Sequence, residues 1–295
     1  MIGFGLLAGL GFVVVLLLAR VAIRRGLAAP RVPERRDPGD LGLAFSTVEF
    51  PTANGRTLRG WYVPAAAGHA SAIVVLHGWG GNAETMLPLA GPLYRAGHAL
   101  LFFDARCHGM SDADEFVSLP RFAEDLEHAL DWLHRQPGID PQCIAAVGHS
   151  VGAGAALLVA SRSAALAAVV SIAAFAHPDA MMRRWLAWRR IPYWPVGWAV
   201  LAYVQHVIGT RFERIAPVNT IRSVRCPVLL AHGTEDTTVP VDEARQIYTN
   251  RSHDRVELLL MQGSHDEYAE MDIGIDAIGA FLGRALGQTG ERDES

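Results

Sequence analysis

The segment Ile144–Gly152 restricts the fold of this chain more than any other, because a short apolar run leads directly into a Gly-x-Ser-x-Gly sequence. The apolar run predicts a buried strand, and the small residues Ala153–Ala160 predict a helix immediately after it. A sharp turn from strand to helix forces the central residue, Ser150, into a strained backbone conformation. Gly148 and Gly152 suit the close approach that such a turn requires. The segment therefore predicts packed layers of strands and helices, with Ser150 exposed at the carboxyl end of a sheet.

The rest of the chain favours a parallel sheet wrapped by helices, since short apolar runs alternate with helical patterns. Besides Ile144–Val147, the predicted buried strands are Ala72–Leu76, Ala99–Asp104, Ala167–Ala173, Val228–Ala231 and Val256–Met261. Apolar residues at helical spacing predict helices around Phe122–Leu133 and Met271–Leu282. The stretch Ser46–Pro64, with Asn54–Gly55 between two alternating runs, predicts an antiparallel hairpin at one edge of the sheet.

Composition excludes several classes of protein. All 26 basic residues are Arg and face 30 acidic residues, so the net charge of −4 leaves no basic surplus for binding nucleic acid. The three cysteines, Cys107, Cys143 and Cys226, lack the close Cys and His spacings of a structural zinc site, and their odd number does not suit a disulfide scaffold. We therefore expect a folded protein with a sizeable apolar core.

The N-terminal segment Ile2–Ile23 is apolar apart from Arg20 and, at about 33 Å as a helix, is long enough to cross a membrane once. Arginines follow this segment rather than precede it, which favours a retained anchor over a cleaved signal peptide, the alternative. Because arginines are enriched on the cytoplasmic side of membrane spans, their position also predicts that the chain after Arg20 lies in the cytoplasm. We expect a transmembrane anchor at 1–23, a basic, proline-containing linker at 24–41, one domain at 42–287 and a disordered tail at 288–295.

A serine hydroxyl attacks a carbonyl only when a base removes its proton, so a histidine oriented by a carboxylate is expected near Ser150. His265 lies in the loop after the predicted strand Val256–Met261, and the pair Glu235 and Asp236 lies in the loop after Val228–Ala231. Because the carboxyl ends of parallel strands meet at one edge of a sheet, we expect these side chains beside Ser150.

Such a reaction also requires N–H donors for the negative oxygen of its tetrahedral intermediate. The backbone N–H of Val151, directly after Ser150, is one candidate for this oxyanion hole. The Gly-rich loop His77–Asn82, which follows a predicted strand, offers the backbone N–H of Trp79 as the other. His77 itself is predicted to be a structural hydrogen-bonding residue rather than a proton shuttle.

Four parts of the chain together resemble the α/β-hydrolase superfamily, nearest its esterase, lipase and serine-aminopeptidase-like branch. They are Gly148–Gly152, Asp236 with His265, His77–Asn82 and Asp104–Ser111, and the likeness covers about residues 42–287. The resemblance implies Ser150 as nucleophile, Asp236 rather than Glu235 as acid, and His265 as base. It also implies an eight-stranded, mostly parallel sheet with a helical cap after the sixth strand, and neither a metal nor an organic cofactor. Cys107 departs from the family, which usually has Gly at that position.

The cap is predicted at residues 177–210, which hold four of the seven tryptophans: Trp185, Trp188, Trp194 and Trp198. Arg beside Trp suits a membrane surface, but a lid over an apolar pocket requires the same aromatic residues, and we favour that interpretation. The sequence thus predicts a membrane-anchored serine hydrolase that cleaves small or lipid-like acyl esters. A thioesterase, a serine peptidase or a membrane-tethered binding module of the same fold stays open, and the oligomeric state is not determined.

Overall fold

An eight-stranded sheet forms the centre of the computed structural model, which describes residues 20–66, 70–266 and 272–287. The strands are β1 (Ser46–Thr52), β2 (Arg56–Val63), β3 (Ala70–Leu76), β4 (Ala99–Phe103), β5 (Ile139–His149), β6 (Ala168–Ile172), β7 (Val228–Gly233) and β8 (Val256–Met261). Their order in the sheet is β1-β2-β4-β3-β5-β6-β7-β8. The β1–β2 hairpin and the β2–β4 pair are antiparallel, and the other neighbours are parallel. The prediction of an eight-stranded, mostly parallel sheet is confirmed.

Helices cover both faces of the sheet. They are α1 (Ala90–Arg95), α2 (Leu119–Leu133), α3 (Val151–Arg162), α4 (Pro178–Trp188), α5 (Trp198–Val207), α6 (Phe212–Ile215), α7 (Pro217–Thr220), α8 (Asp242–Thr249) and α9 (Asp272–Gly287). Shorter helical turns lie at Pro38–Leu41, Ala53–Gly55, Ala83–Leu89, Tyr193–Gly197 and Ile221–Ser223, and residues 20–26 are also helical. Helices α2, α3 and α8 pack on one face, while α1 and α9 pack on the other.

Strand β3 shows why the central strands are continuous apolar runs. Its residues Ile73 and Val75 belong to the core on one face of the sheet, and Val74 and Leu76 belong to the core on the other. All four side chains are fully buried. Since burial of one such side chain contributes roughly 1.5–3 kcal/mol, a polar residue on either face would destabilise the sheet.

Helices α4 and α5 and the turn Tyr193–Gly197 lie within residues 177–210, the position predicted for the cap between β6 and β7. Helix α4 begins at the predicted boundary, where the side chain of His177 accepts a hydrogen bond from the N–H of Asp179. Trp188, Trp194 and Trp198 are exposed on the outside of this insertion, and Trp185 lines a cavity beneath it. The cap therefore supplies one wall of that cavity.

The prediction of a single-pass membrane protein with a cytoplasmic catalytic domain is contradicted. Among residues 20–66, 70–266 and 272–287, no helix combines the length and the apolar character needed to cross a membrane. At the end of the predicted span, Ile23 packs against the core of the domain, and Arg24 lies 3.6 Å from Glu115. A hydropathy window cannot detect such contacts, because it contains only local sequence. The rest of the predicted anchor, residues 1–19, lies outside the described residues.

Candidate active site

Ser150 lies at the sharp turn between β5 and α3, with φ of 53° and ψ of −116°. This positive φ is unusual for a residue with a side chain and costs on the order of 1–3 kcal/mol, which the surrounding packing must offset. A Cβ added at Gly148 would lie 2.4 Å from the carbonyl oxygen of Gly152. A Cβ at Gly152 would lie 2.5 Å from the carbonyl oxygen of His77. Both glycines are therefore required by the close approach that the sequence predicts.

The structure brings Ser150, His265 and Asp236 together from three separate loops at the carboxyl edge of the sheet. The Nε2 atom of His265 lies 3.1 Å from Ser150 Oγ, and its Nδ1 atom lies 2.6 Å from Asp236 Oδ2. With the proton on Nδ1, the imidazole donates to the carboxylate and can accept the hydroxyl proton at Nε2. This is the geometry of an activated hydroxyl.

Asp236 is held as an anion by several donors. Its Oδ1 atom accepts hydrogen bonds from the N–H groups of Thr238 at 2.8 Å and Val239 at 2.7 Å. Burial alone would raise the pKa of the Asp236 carboxyl, but hydrogen bonds from His232, His265 and Val239 outweigh burial and hold that pKa well below its usual range. The carboxylate is therefore charged when His265 takes up a proton.

Glu235 does not enter the site. Its side chain is exposed and accepts a hydrogen bond from Gln262 at 3.1 Å. Asp236, by contrast, is buried and touches His265 directly. Of the two adjacent carboxylates, only Asp236 faces the imidazole.

His149 is a site residue that the sequence analysis missed. Its Nε2–H donates to the backbone carbonyl oxygen of His265 at 2.9 Å, and the two rings lie 4.9 Å apart. Burial lowers the pKa of His149 to about 3, and the nearby His265 contributes in the same direction, so the ring is neutral. The one signal in the sequence was the polar residue His149 at the first x of the Gly-x-Ser-x-Gly motif.

The two predicted oxyanion donors both belong to residues that line the cavity beside Ser150. Val151 is the first residue of α3, and a helix leaves the first N–H groups without an intrahelical acceptor. In the loop that contains Trp79, the N–H of Gly80 donates to His108 and the N–H of Gly81 donates to Gly78. Those bonds engage the N–H groups of Gly80 and Gly81, and the N–H of Trp79 stays the predicted donor of this loop.

His77 has a structural role. Its Nδ1–H donates to the carbonyl oxygen of Gly78 at 2.7 Å, and its Nε2 accepts from the N–H of Ala105 at 3.1 Å. Burial lowers the pKa of His77 to about 4. The ring therefore stays neutral and joins the loop after β3 to the loop after β4.

Cys107 adopts the left-handed conformation, with φ of 68°. Glycine reaches this region without strain, which suits the Gly that the resemblance implies at this position. The Sγ atom of Cys107 accepts a hydrogen bond from the N–H of Asp114 at 3.1 Å. Burial raises the pKa of the Cys107 thiol, so this side chain supports the loop and is not an activated nucleophile.

A cavity of about 720 Å³ opens at Ser150. Most of its wall is apolar and includes Leu27, Leu119, Met181, Trp185, Val204 and Ile208. Among the lining residues that the structure describes, Asp266 carries the only carboxylate. The volume falls within the range of about 300–1,000 Å³ that is typical of small-molecule sites.

One group of potential metal ligands occurs in the described part of the chain. Donor atoms of His149, His265 and Asp266 lie within 4.8 Å of one another. However, Nε2 of His149 already donates to a carbonyl oxygen, and both ring nitrogens of His265 face Asp236 and Ser150. These nitrogens therefore serve hydrogen bonds rather than a metal ion.

The sequence model of the S33 serine aminopeptidases matches residues 67–216, just over half of the 295 residues. The chain belongs to this family. The match contains Trp79 and Ser150 and ends before Asp236 and His265. His265 contacts Ser150 and Asp236 contacts His265, so these two residues join the same site although they lie beyond the matched region.

Several known proteins resemble this S33 chain, two of them over most of its length. An esterase of Pyrococcus furiosus superposes with a TM-score of 0.71 and 25% sequence identity, covering 87% of this chain and 98% of that one. An uncharacterised protein of Mycobacterium tuberculosis is 28% identical over 240 residues, which are 80% of this chain and 78% of the relative. A polyketide transferase of Aspergillus fumigatus is 34% identical over 135 residues, 45% of this chain and 46% of the relative. By fold and family the chain is thus an α/β hydrolase, and its structural relatives include an esterase.

Proposed function

We propose that this protein is a serine hydrolase that cleaves carboxylic esters through an acyl-enzyme intermediate. One observation supports this most strongly: Asp236, His265 and Ser150 form a continuous hydrogen-bonded chain that ends at an apolar cavity. The cavity suits the apolar acyl part of an ester. An ester bound there would have its carbonyl carbon beside the hydroxyl of Ser150.

In the acylation step, Ser150 Oγ attacks the carbonyl carbon while its proton passes to Nε2 of His265. The negative charge that develops on the carbonyl oxygen is stabilised by the N–H groups of Val151 and Trp79. When the intermediate collapses, the bond to the leaving oxygen breaks, and Nε2 of His265 gives its proton to that oxygen to release an alcohol. Asp236 stabilises the imidazolium between these two transfers.

In the deacylation step, water attacks the acyl carbon and its proton passes to His265. The bond between Ser150 Oγ and the acyl carbon then breaks, Oγ recovers a proton from His265, and the carboxylic acid leaves. The two steps use the same groups in the same order, so no further side chain is required.

Covalent labelling tests this proposal directly. We expect a fluorophosphonate probe to label the wild type and not Ser150→Ala, and hydrolysis of p-nitrophenyl butyrate to fall by at least about a thousandfold in that variant. Ser161→Ala is the matched control, because Ser161 lies on α3 outside the cavity and its hydroxyl donates only to a helix carbonyl. A folded wild type that resists labelling would reject the catalytic role of Ser150 and favour a binding module.

Ester, thioester and amide substrates share the acyl-enzyme step, so the leaving group needs its own test. An aminopeptidase must hold a charged amino terminus, which is costly to bury without charged partners. The described cavity wall is mostly apolar and offers a single carboxylate, that of Asp266. We therefore expect butyryl esters to be cleaved with a higher kcat/KM than the matched thioester and anilide. A preference for alanine p-nitroanilide would instead identify a peptidase.

A further inference from the structure

The segment 24–36, which we call the N-terminal strap, contributes to the wall of the cavity that opens at Ser150. Gly26 and Leu27 are among the lining residues. A Cβ added at Gly26 would lie 3.7 Å from Trp185 of helix α4, so the strap and the cap meet at this point. The apolar cavity is therefore enclosed partly by residues that precede the first strand.

Hydrogen bonds fasten the strap to the two loops that flank the site. The Nε atom of Arg31 donates to the carbonyl oxygen of Gly109 at 2.7 Å, and another guanidinium nitrogen donates to the carbonyl oxygen of Ser111. The side chain of Asn82 donates to the carbonyl oxygen of Val32 at 3.1 Å. These bonds involve groups far apart in sequence, so the position of the strap is specific to the folded domain.

Packing and charge add to these bonds. Pro30 fits against Gly80, where a Cβ would approach its ring to within 2.8 Å. The carboxylate of Glu84 accepts from the backbone N–H of Arg35 at 2.6 Å and from the guanidinium of Arg36 at 3.2 Å. The strap thus lies directly against the loop that holds Trp79.

We propose that the N-terminal strap determines the size of the acyl group, with Leu27 as the specificity-determining residue. This inference rests on the proposed ester hydrolysis at Ser150. Leu27 fills space that additional methylene groups of an acyl chain would otherwise occupy. An apolar pocket discriminates between chains by this kind of volume restriction.

Chain-length preference tests the inference with paired substitutions. We expect Leu27→Ala to raise the ratio of kcat/KM for p-nitrophenyl decanoate over butyrate by about tenfold. We expect Gly26→Leu to lower the same ratio by about tenfold, since its Cβ finds ordinary contact and the rest of the side chain narrows the cavity. Leu41→Ala is the matched control, because Leu41 is exposed and lies outside this cavity.

Labelling with a small fluorophosphonate separates the two proposals. Labelled wild type and labelled Leu27→Ala with the same chain-length ratio would overturn the role of the strap and leave the hydrolase standing. An equal fall for both esters in Leu27→Ala would also overturn it, since the residue would then support the oxyanion loop and not select the acyl group. Folded wild type without labelling would reject the hydrolase and the inference together.

Discussion

At the scale of single residues, the backbone carbonyl of the candidate base needs support. His149 provides it through a hydrogen bond to the carbonyl oxygen of His265. In His149→Phe this oxygen loses its donor in a half-buried place, and we expect kcat for ester hydrolysis to fall about tenfold with KM little changed. Steady-state kinetics over a range of ester concentration separates the two parameters.

His253→Phe is the control for that substitution. The Nε2 atom of His253 also bonds to a backbone carbonyl oxygen, that of Val224 at 3.1 Å, but outside the site. The His253→Phe variant should retain the wild-type kcat for ester hydrolysis. If both variants lose activity equally, His149 has no positioning role specific to the site.

The adjacent carboxylates Glu235 and Asp236 offer a second comparison between residues. Asp236→Asn keeps the shape of the side chain but removes the charge that holds the proton on Nδ1 of His265, so we expect kcat to fall about ten-thousandfold. Glu235→Gln should leave kcat unchanged, because its side chain is exposed and faces Gln262. The reverse order of effects in an ester assay would assign the acid to Glu235.

At the scale of the elements, the junction of β5 and α3 depends on two glycines. In Gly152→Ala the new Cβ would lie 2.5 Å from the carbonyl oxygen of His77, and backbone must move to relieve the clash. We expect a loss of about 1–3 kcal/mol in the free energy of unfolding, together with a loss of fluorophosphonate labelling as Ser150 shifts. Urea denaturation and the labelling rate measure the two effects.

Gly283→Ala provides the opposite case in another helix. Gly283 lies in α9, and an added Cβ there meets nothing within 4 Å. We expect this substitution to stabilise the protein by about 0.5–1 kcal/mol through helix propensity. If both alanine variants behaved alike, the close approach at Gly152 would not explain the requirement for glycine.

At the scale of the whole molecule, His149 links stability to pH through the difference between folded and unfolded states. Its pKa is about 3 in the folded protein, whereas an unfolded histidine titrates near about 6.5. Below that pH the unfolded chain binds a proton that the folded protein does not, so the contribution of His149 is present above pH ~6.5 and is lost as pH falls towards ~3.

The substitution His149→Phe should therefore destabilise the protein less at acid pH than at neutral pH. The measurement is the difference in unfolding free energy between wild type and variant, by urea denaturation at about pH 7.5 and about pH 5. Both proteins share every other titrating group, so the change in this difference with pH reports on His149 together with its electrostatic interactions with His265, Asp236 and His77. A penalty that stays constant or grows on acidification would contradict a neutral, buried His149.

Local patterns in the chain predicted more of the elements than of the contacts between them. The alternation of apolar runs predicted the parallel strands, and the observed β8, Val256–Met261, has the predicted bounds. The contacts of the predicted linker at 24–41 were not predicted. Its residues form hydrogen bonds with the loops around Gly109 and Asn82. Nothing in its arginine and proline composition distinguishes such a segment from a solvated one.

The sequence by itself determined the strand-to-helix turn at Ser150, the order of the three candidate catalytic residues and the class of fold, because each depends on neighbouring residues or on strand periodicity. Only the tertiary structure decided that His149 supports the base and that Leu27 lines the cavity at Ser150. These contacts join residues that lie far apart in the chain, 116 positions for His149 and His265. Such pairings are set when layers pack around a common core, and a local window of sequence carries no record of them.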